Sequence, residues 1–196
     1  MFTGIIAYKG IFRGYRLGKR EMVLESPEAA QRLETGDSLA VDGVCLSVVR
    51  KEKSRLFFDL SQETLSRTTL GSLQPGRPLN LEPPLSLSSL VSGHLVSGHI
   101  DSVGKVAKVV RKKLGARMTV SFPPALGRYF VAKGSVAVNG VSLTMAGLAA
   151  SSFEVELVPL TLRDTNLAEL RAGDQVNIEC DIIGKYIYNY LSNTNK

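Results

Sequence analysis

SLAVDGVCLSV, Ser38 to Val48, returns as SVAVNGVSLTM, Ser135 to Met145. Laid over each other without a gap, the two stretches share Ser38/Ser135, Ala40/Ala137, Val41/Val138, Gly43/Gly140, Val44/Val141 and Leu46/Leu143, at a constant offset of 97 residues. The register continues through Leu60/Leu157, Thr64/Thr161, Thr68/Thr165, Gly76/Gly173, Asn80/Asn177 and Glu82/Glu179. Upstream, Gly4 and Gly10 match Gly98 and Gly104 at an offset of 94, so one copy carries a few extra residues in an early loop. A period this long is too large for a solenoid and describes two complete small domains, each with its own core.

Within a copy, short strands dominate. Phe2 to Ala7 is β-like, Gly10 to Gly18 reads as a glycine-rich turn region, and Glu21 to Glu25 alternates. Ser26 to Leu33 reads as a short helix, with Ser26 as N-cap and Pro27 at its first position, ending near Gly36. Leu39 to Val41, Cys45 to Arg50 and Arg55 to Leu60 are strand-like, with Asp42-Gly43 as a hairpin turn signal between the first two. Ser61 caps a second short helix over Gln62 to Leu65, and Pro78 to Glu82 is the last strand. About six strands and two helical plugs in under a hundred residues predict a small closed barrel. The expected fold is all-β: two tandem six-stranded Greek-key barrels and a C-terminal helix.

The second copy repeats the plan, with strands at His99 to Val110, Ala116 to Phe122 and Gln175 to Asp181, and a helix led by Pro123-Pro124. Pro83 to Ser92 is the linker by composition. The expected domains are therefore 1–94, 95–183 and a tail, 184–196. In the tail, which has no counterpart in copy one, Ile183, Ile187, Tyr190 and Leu191 fall at helical spacing, and one apolar stripe outside two finished barrels favours an oligomer.

Composition narrows the class. With 44% hydrophobic and 21% charged residues the chain is ordinary and globular, and no apolar run reaches the ~18 residues of a membrane span. The start lacks the layout of a signal peptide, so the expected location is cytoplasmic. Only Cys45 and Cys180 are present, at non-equivalent places in the repeats, which argues against a disulfide framework or zinc site. The net charge of +6 raises a nucleic-acid surface, but no aromatics interleave with the basic residues as stacking would need, and Arg111 to Lys113 reads as a solvated hairpin tip.

MFTGII at the start, SLAVDGVCLSV, Glu63-Thr64-Leu65, GHLVSGHID at Gly93 to Asp101, KGSVAVNGVSLT at Lys133 to Thr144 and GDQVNIECDIIGKY near the end resemble riboflavin synthase, with its two lumazine-binding repeats, over essentially the whole chain. The resemblance implies a homotrimer without metal or cofactor that converts two 6,7-dimethyl-8-ribityllumazine molecules into riboflavin and 5-amino-6-(D-ribitylamino)uracil. Active sites would form between one subunit's N-terminal barrel and a neighbour's C-terminal barrel, with the helical tail as trimer contact. Association with lumazine synthase is a further partner in that picture.

The residues themselves fit a flat polar ligand. Gly43 and Gly140 permit close approach of a ring to the backbone, and Cys45 and Ser142 follow two residues on, sharing a strand face with Ser47 and Thr144 by period two. Alternatively these are ordinary buried strand positions. Carried over from the family, the first barrel would bind through Gly4, Ile5 and Ile6, through Cys45, Leu46 and Ser47, and through Asp59, Leu60, Ser61, Gln62, Glu63 and Thr64, with Ser38 close by. The second would use Gly98, His99 and Ile100, then Val141, Ser142, Leu143 and Thr144, and Glu156, Leu157, Val158, Pro159, Leu160 and Thr161. Lys133 would reach across from another subunit, and Asp181 would lie at the site.

The chemistry needs a proton removed from the position-7 methyl of one lumazine and a nucleophile added to the other. His99 is the natural shuttle, since an unperturbed imidazole titrates at about 6.5. Cys45 is either the nucleophile or a small hydrophobe, and Ser142 and Thr144 could orient a water. His94 and His99, five apart in an expected strand, face opposite ways, so a metal pair is not expected. Asp42 stands where the family often has Asn, and Leu160 where it often has a polar residue. The rival readings are a non-catalytic lumazine- or flavin-binding antenna protein and a nucleic-acid-binding barrel.

Overall fold

The computed structural model describes residues 1–194. β1 (Tyr8–Arg16), β2 (Glu21–Glu25), β3 (Ser38–Val41), β4 (Val44–Glu52), β5 (Arg55–Asp59) and β6 (Pro78–Glu82) close a barrel in the order β1-β2-β5-β4-β3-β6, with α1 (Pro27–Arg32) and α2 (Gln62–Arg67) in its connections. β7 (Ser102–Lys112), β8 (Gly115–Ser121), β9 (Ser135–Val138), β10 (Val141–Leu148), β11 (Ser152–Leu157) and β12 (Gln175–Cys180) close a second in the equivalent order, with α3 (Pro159–Asp164). Every neighbouring pair is antiparallel, and each barrel has its own apolar core. α4 (Ile182–Thr194) follows.

The duplicated hairpins meet each other. Asp42 and Gly43 have φ of 45° and 81°, and Asn139 and Gly140 have 46° and 76°, the left-handed pair that a two-residue hairpin requires. A Cβ on either glycine would lie 2.7 Å from the other's backbone nitrogen, so the two turns pack back to back on a pseudo-twofold axis. Around that axis Asn80 N–H donates to Asp42 Oδ1 at 2.7 Å and Asn177 N–H to Asn139 Oδ1 at 2.8 Å. The Asn80 amide reaches Asn139 O and the Asn177 amide reaches Asp42 O, both at 2.9 Å.

Four local expectations are corrected. Gly10 to Gly18 is strand for most of its length: Gly10 is a glycine because a Cβ would come within 2.9 Å of Leu81 and Leu24, and Gly14 sits at a bulge against β2. Phe2 to Ala7 is an extended arm outside the named strands, where Phe2 bridges Val96 of the second arm and Ala7 N–H donates to Leu81 O. His99 likewise precedes its strand, which begins at Ser102. The segment led by Pro123-Pro124 is a 3₁₀ turn, Pro124–Tyr129, while Ser26 and Ser61 cap α1 and α2 as expected.

α4 starts at Ile182, capped by Asp181, whose Oδ1 accepts from Ile183 N–H at 3.0 Å. Gly184 lets the helix approach Tyr129 O, and the Tyr188 ring packs edge-on to Tyr129 at 5.4 Å. Ile183, Ile187, Tyr190 and Leu191 remain exposed.

Candidate functional site

Period two places Cys45 with Ser47 and Ser142 with Thr144; burial decides which face that is. Val44, Leu46 and Val48 point into the first core and Val141, Leu143 and Met145 into the second, so the polar set lies on the outer wall of each barrel. Ser38 pairs with Ser47 across β3 and β4, as Ser135 does with Thr144 across β9 and β10. Leu46, Val141 and Leu143 are core side chains that offer a ligand only backbone.

Each wall is completed by an arm from the other half of the chain. Ser142 N–H donates to Gly4 O at 2.8 Å, and Cys45 N–H donates to Gly98 O at 2.9 Å. The expected grouping is therefore exchanged: Gly4, Ile5 and Ile6 lie on the second barrel with Ser142 and Thr144, while Gly98, His99 and Ile100 lie on the first with Cys45 and Ser47. Ile6 packs on the second core and Ile100 on the first. Both arm glycines have positive φ, 75° and 84°, and a Cβ on them would stand 2.6 Å and 2.5 Å from the Cβ of Ser142 and of Cys45. Only glycine fits there.

Two buried carboxylates hold the arms. Glu82, at the end of β6, accepts from Thr3 N–H and Thr3 Oγ1 at 2.7 Å each and from Gly4 N–H at 2.9 Å. Glu179, its repeat mate on β12, accepts from Ser97 N–H at 2.6 Å, Ser97 Oγ at 2.7 Å and Gly98 N–H at 3.0 Å. Burial raises the proton affinity of both, and the donated hydrogen bonds oppose it. Each glutamate belongs to one barrel and fixes the arm that serves the other.

The two histidines part company. His99 is exposed on the first-barrel arm, its N–H donating to Ser97 Oγ at 3.2 Å. His94 is buried beside the second-barrel wall, with Nδ1 2.8 Å from Ser142 Oγ and its backbone N–H donating to Thr3 O. Its Nε2 is buried with no partner. Burial holds this imidazole below the ordinary histidine range, opposed by the charge of the Asp181 carboxylate. The strand expected to separate His94 from His99 does not exist; they go to different barrels.

The segments closing each site are alike in backbone and unlike in chemistry. In the first, Ser61 Oγ caps α2 through Thr64 N–H at 3.0 Å, and Asp59, Gln62 and Glu63 are exposed. In the second, Val158 and Pro159 start α3 without a side-chain cap, Leu160 is exposed, and Glu156 is tied to Lys112 and Arg117. Those cations hold the Glu156 carboxyl below the usual range. Leu60 and Leu157 are core residues, Thr161 is half-buried, and Lys133 sits in an exposed turn at φ 66°.

Residues 3–83 and 97–181 each match the lumazine binding domain family. The chain belongs to that family. A riboflavin synthase of Actinobacillus pleuropneumoniae is 38% identical over 193 residues, covering 97% of this chain and 90% of the relative. One of Bacillus subtilis is 35% identical over 198 residues, covering 100% and 92%. The chain is an enzyme, a transferase of riboflavin synthesis. A crystal structure of LumP complexed with riboflavin superposes with TM-score 0.86 at 24% identity, over 92% of this chain and 99% of that one, which supports the fold.

The matched ranges show what sequence reading missed. Each matched range begins on an arm, at Thr3 or Ser97, and takes in near its end the glutamate that holds that arm, Glu82 or Glu179. The signal was present, since Glu82/Glu179 keeps the repeat register, but a glutamate ending a strand gives no hint of its bond partner. For His94 the signal was Gly93-His94 echoed by Gly98-His99.

Proposed function

We propose that the chain catalyses the dismutation of two 6,7-dimethyl-8-ribityllumazine molecules, moving a four-carbon unit from one to the other to give riboflavin and 5-amino-6-(D-ribitylamino)uracil. The atoms balance with no oxidant and no net water. The observation that carries this reading is the duplicated site: two walls of one plan, each with its arm, its clamp and its small polar pair. A protein that only holds a chromophore needs one such site; a reaction between two identical molecules uses both.

In this reading the larger share of acceleration comes from holding the two ligands in reacting geometry, an effect that reaches about 7 to 11 kcal/mol. His94, neutral at pH 7 because its pKa is lowered, accepts a proton through Ser142, and Thr144 orients the ring edge or a water. His99 serves the first-barrel ligand. Cys45, pressed under the Gly98 arm, packs against it. Lys133 has no place within one chain's sites and would act from another subunit. A trimer is supported by the exposed stripe on α4, and a sedimentation mass of one chain with full activity would refute shared sites.

The test is to incubate the protein with the lumazine and follow riboflavin by absorbance and fluorescence. Riboflavin above a no-protein blank is expected; tight binding without turnover would make this an antenna protein. His94→Ala should lower kcat by about 10²-fold, within the range for a lost proton-transfer group. His94→Asn, which keeps a hydrogen-bond acceptor toward Ser142, should recover part of kcat while the acidic limb of the pH profile is lost. An unchanged pH profile in both variants would remove His94 from proton transfer.

A further inference from the structure

A cleft of about 710 Å³ opens between the barrels, lined by Asp42, Thr69 and Arg77 from the first and Lys105, Asn139 and Gln175 from the second. None of these belongs to the outer walls. The pseudo-twofold is not kept at this junction. On the opposite side Asn166 is fully engaged: its N–H donates to Asn80 Oδ1 at 2.7 Å, its amide reaches Asp42 Oδ1 at 2.9 Å and Pro78 O at 3.1 Å, and its Oδ1 accepts from Asn80 at 2.9 Å. The repeat mate of Asn166 is Thr69. It keeps only the backbone bond, Thr69 N–H to Asn177 Oδ1 at 2.8 Å, and its hydroxyl, on a residue 8% exposed, has no partner. A buried unpaired hydroxyl is costly unless something meets it.

The lining chemistry selects the class of occupant. Arg77 and Lys105, one from each barrel, make no ion pair among the described residues, and Asp174 on the same rim takes the Arg171 N–H. Asp42 Oδ1 is used by Asn80 and Asn166, and no hydrogen bond engages its Oδ2. The one aromatic side chain of the lining, Phe122, is buried in the second core, so a flat ring has no platform. We propose that the cleft is a second small-molecule site for a phosphorylated polyol, its phosphate toward Arg77 and Lys105 and its hydroxyls toward Asp42, Thr69 and Asn139.

The probe is D-ribose 5-phosphate, titrated calorimetrically into the full-length protein, with D-ribose and inorganic phosphate alongside. Saturable binding of the sugar phosphate is expected, at least tenfold tighter than either control. It should weaken tenfold or more in Arg77→Ala/Lys105→Ala and vanish in Thr69→Asn, whose amide would reach Asn139 Oδ1 and Gln175 O as Asn166 reaches their mates. Thr69→Asn should melt at or above the parent temperature, and riboflavin formation should be unchanged in all variants. Phosphate binding as tightly as the sugar phosphate would mean an adventitious ion only and would overturn the proposal. No binding, or binding indifferent to the Arg77/Lys105 change, would do the same even if Thr69→Asn failed to fold.

Discussion

Gly98→Ala is expected to reduce riboflavin formation by about 100-fold or more while leaving a folded protein. The added methyl would stand 2.5 Å from Cys45 Cβ and 3.0 Å from Cys45 N, and φ at this position is 84°. The left-handed backbone alone costs an alanine about 1–2 kcal/mol. The clash is the larger effect, because the arm has no free side to move to: Glu179 holds Ser97 and Gly98 from behind, and Gly98 O accepts from Cys45 N–H in front. Relief therefore lifts the arm from the first barrel, and a shift of about 1 Å in a positioning element is enough for a 10²-fold loss. Gly36→Ala is the control. It has φ 97° and nothing within 4 Å of its would-be Cβ, so it should show the backbone cost in its melting temperature with turnover unchanged. Equal activity losses in the two variants would mean that the arm contact is irrelevant. Glu179→Leu should reproduce the Gly98→Ala phenotype without touching the wall.

Asp42→Asn is expected to stabilise the protein above neutral pH and to do little below about pH 4. Burial pushes the Asp42 carboxyl from 3.8 up to about 7, against the bonds from Asn80 and Asn166 and the charge of Arg77. An acid whose folded pKa lies above its unfolded one favours folding fully below the unfolded value, and that contribution is lost as pH rises through the folded value. The window is thus pH 3.8 to 7. Three units correspond to roughly 4 kcal/mol at most, at about 1.36 kcal/mol per unit. Asparagine keeps the Oδ1 acceptor and cannot ionise, as at the twofold-related Asn139. Chemical denaturation at pH 4 and pH 8.5 checks this: a gain of about 2–4 kcal/mol confined to the higher pH is expected, and an equal change at both would assign the effect to packing.

The chain's own sequence determined a great deal. A register of 97 residues fixed two domains of one plan; alternation and the Asp42-Gly43 and Asn139-Gly140 turns fixed the hairpins; and the helix caps at Ser26 and Ser61 were legible because capping is satisfied within three residues. The candidate site residues were carried over from a resemblance and not read from pattern. Where the reading failed, at Gly10 and Gly14, glycine signalled close packing and a bulge, and a lone residue type does not distinguish these from a turn.

Only the tertiary structure decided which arm serves which barrel, that the polar pairs face outward, and that His94 meets Ser142. The physical reason is range. Periodicity and capping are properties of neighbours, whereas the bonds that cross the arms join residues 78 to 82 apart, Thr3 and Gly4 to Glu82 and Ser97 and Gly98 to Glu179. An extended arm with a positive-φ glycine carries its own shape in the sequence, but not the wall it will lie against.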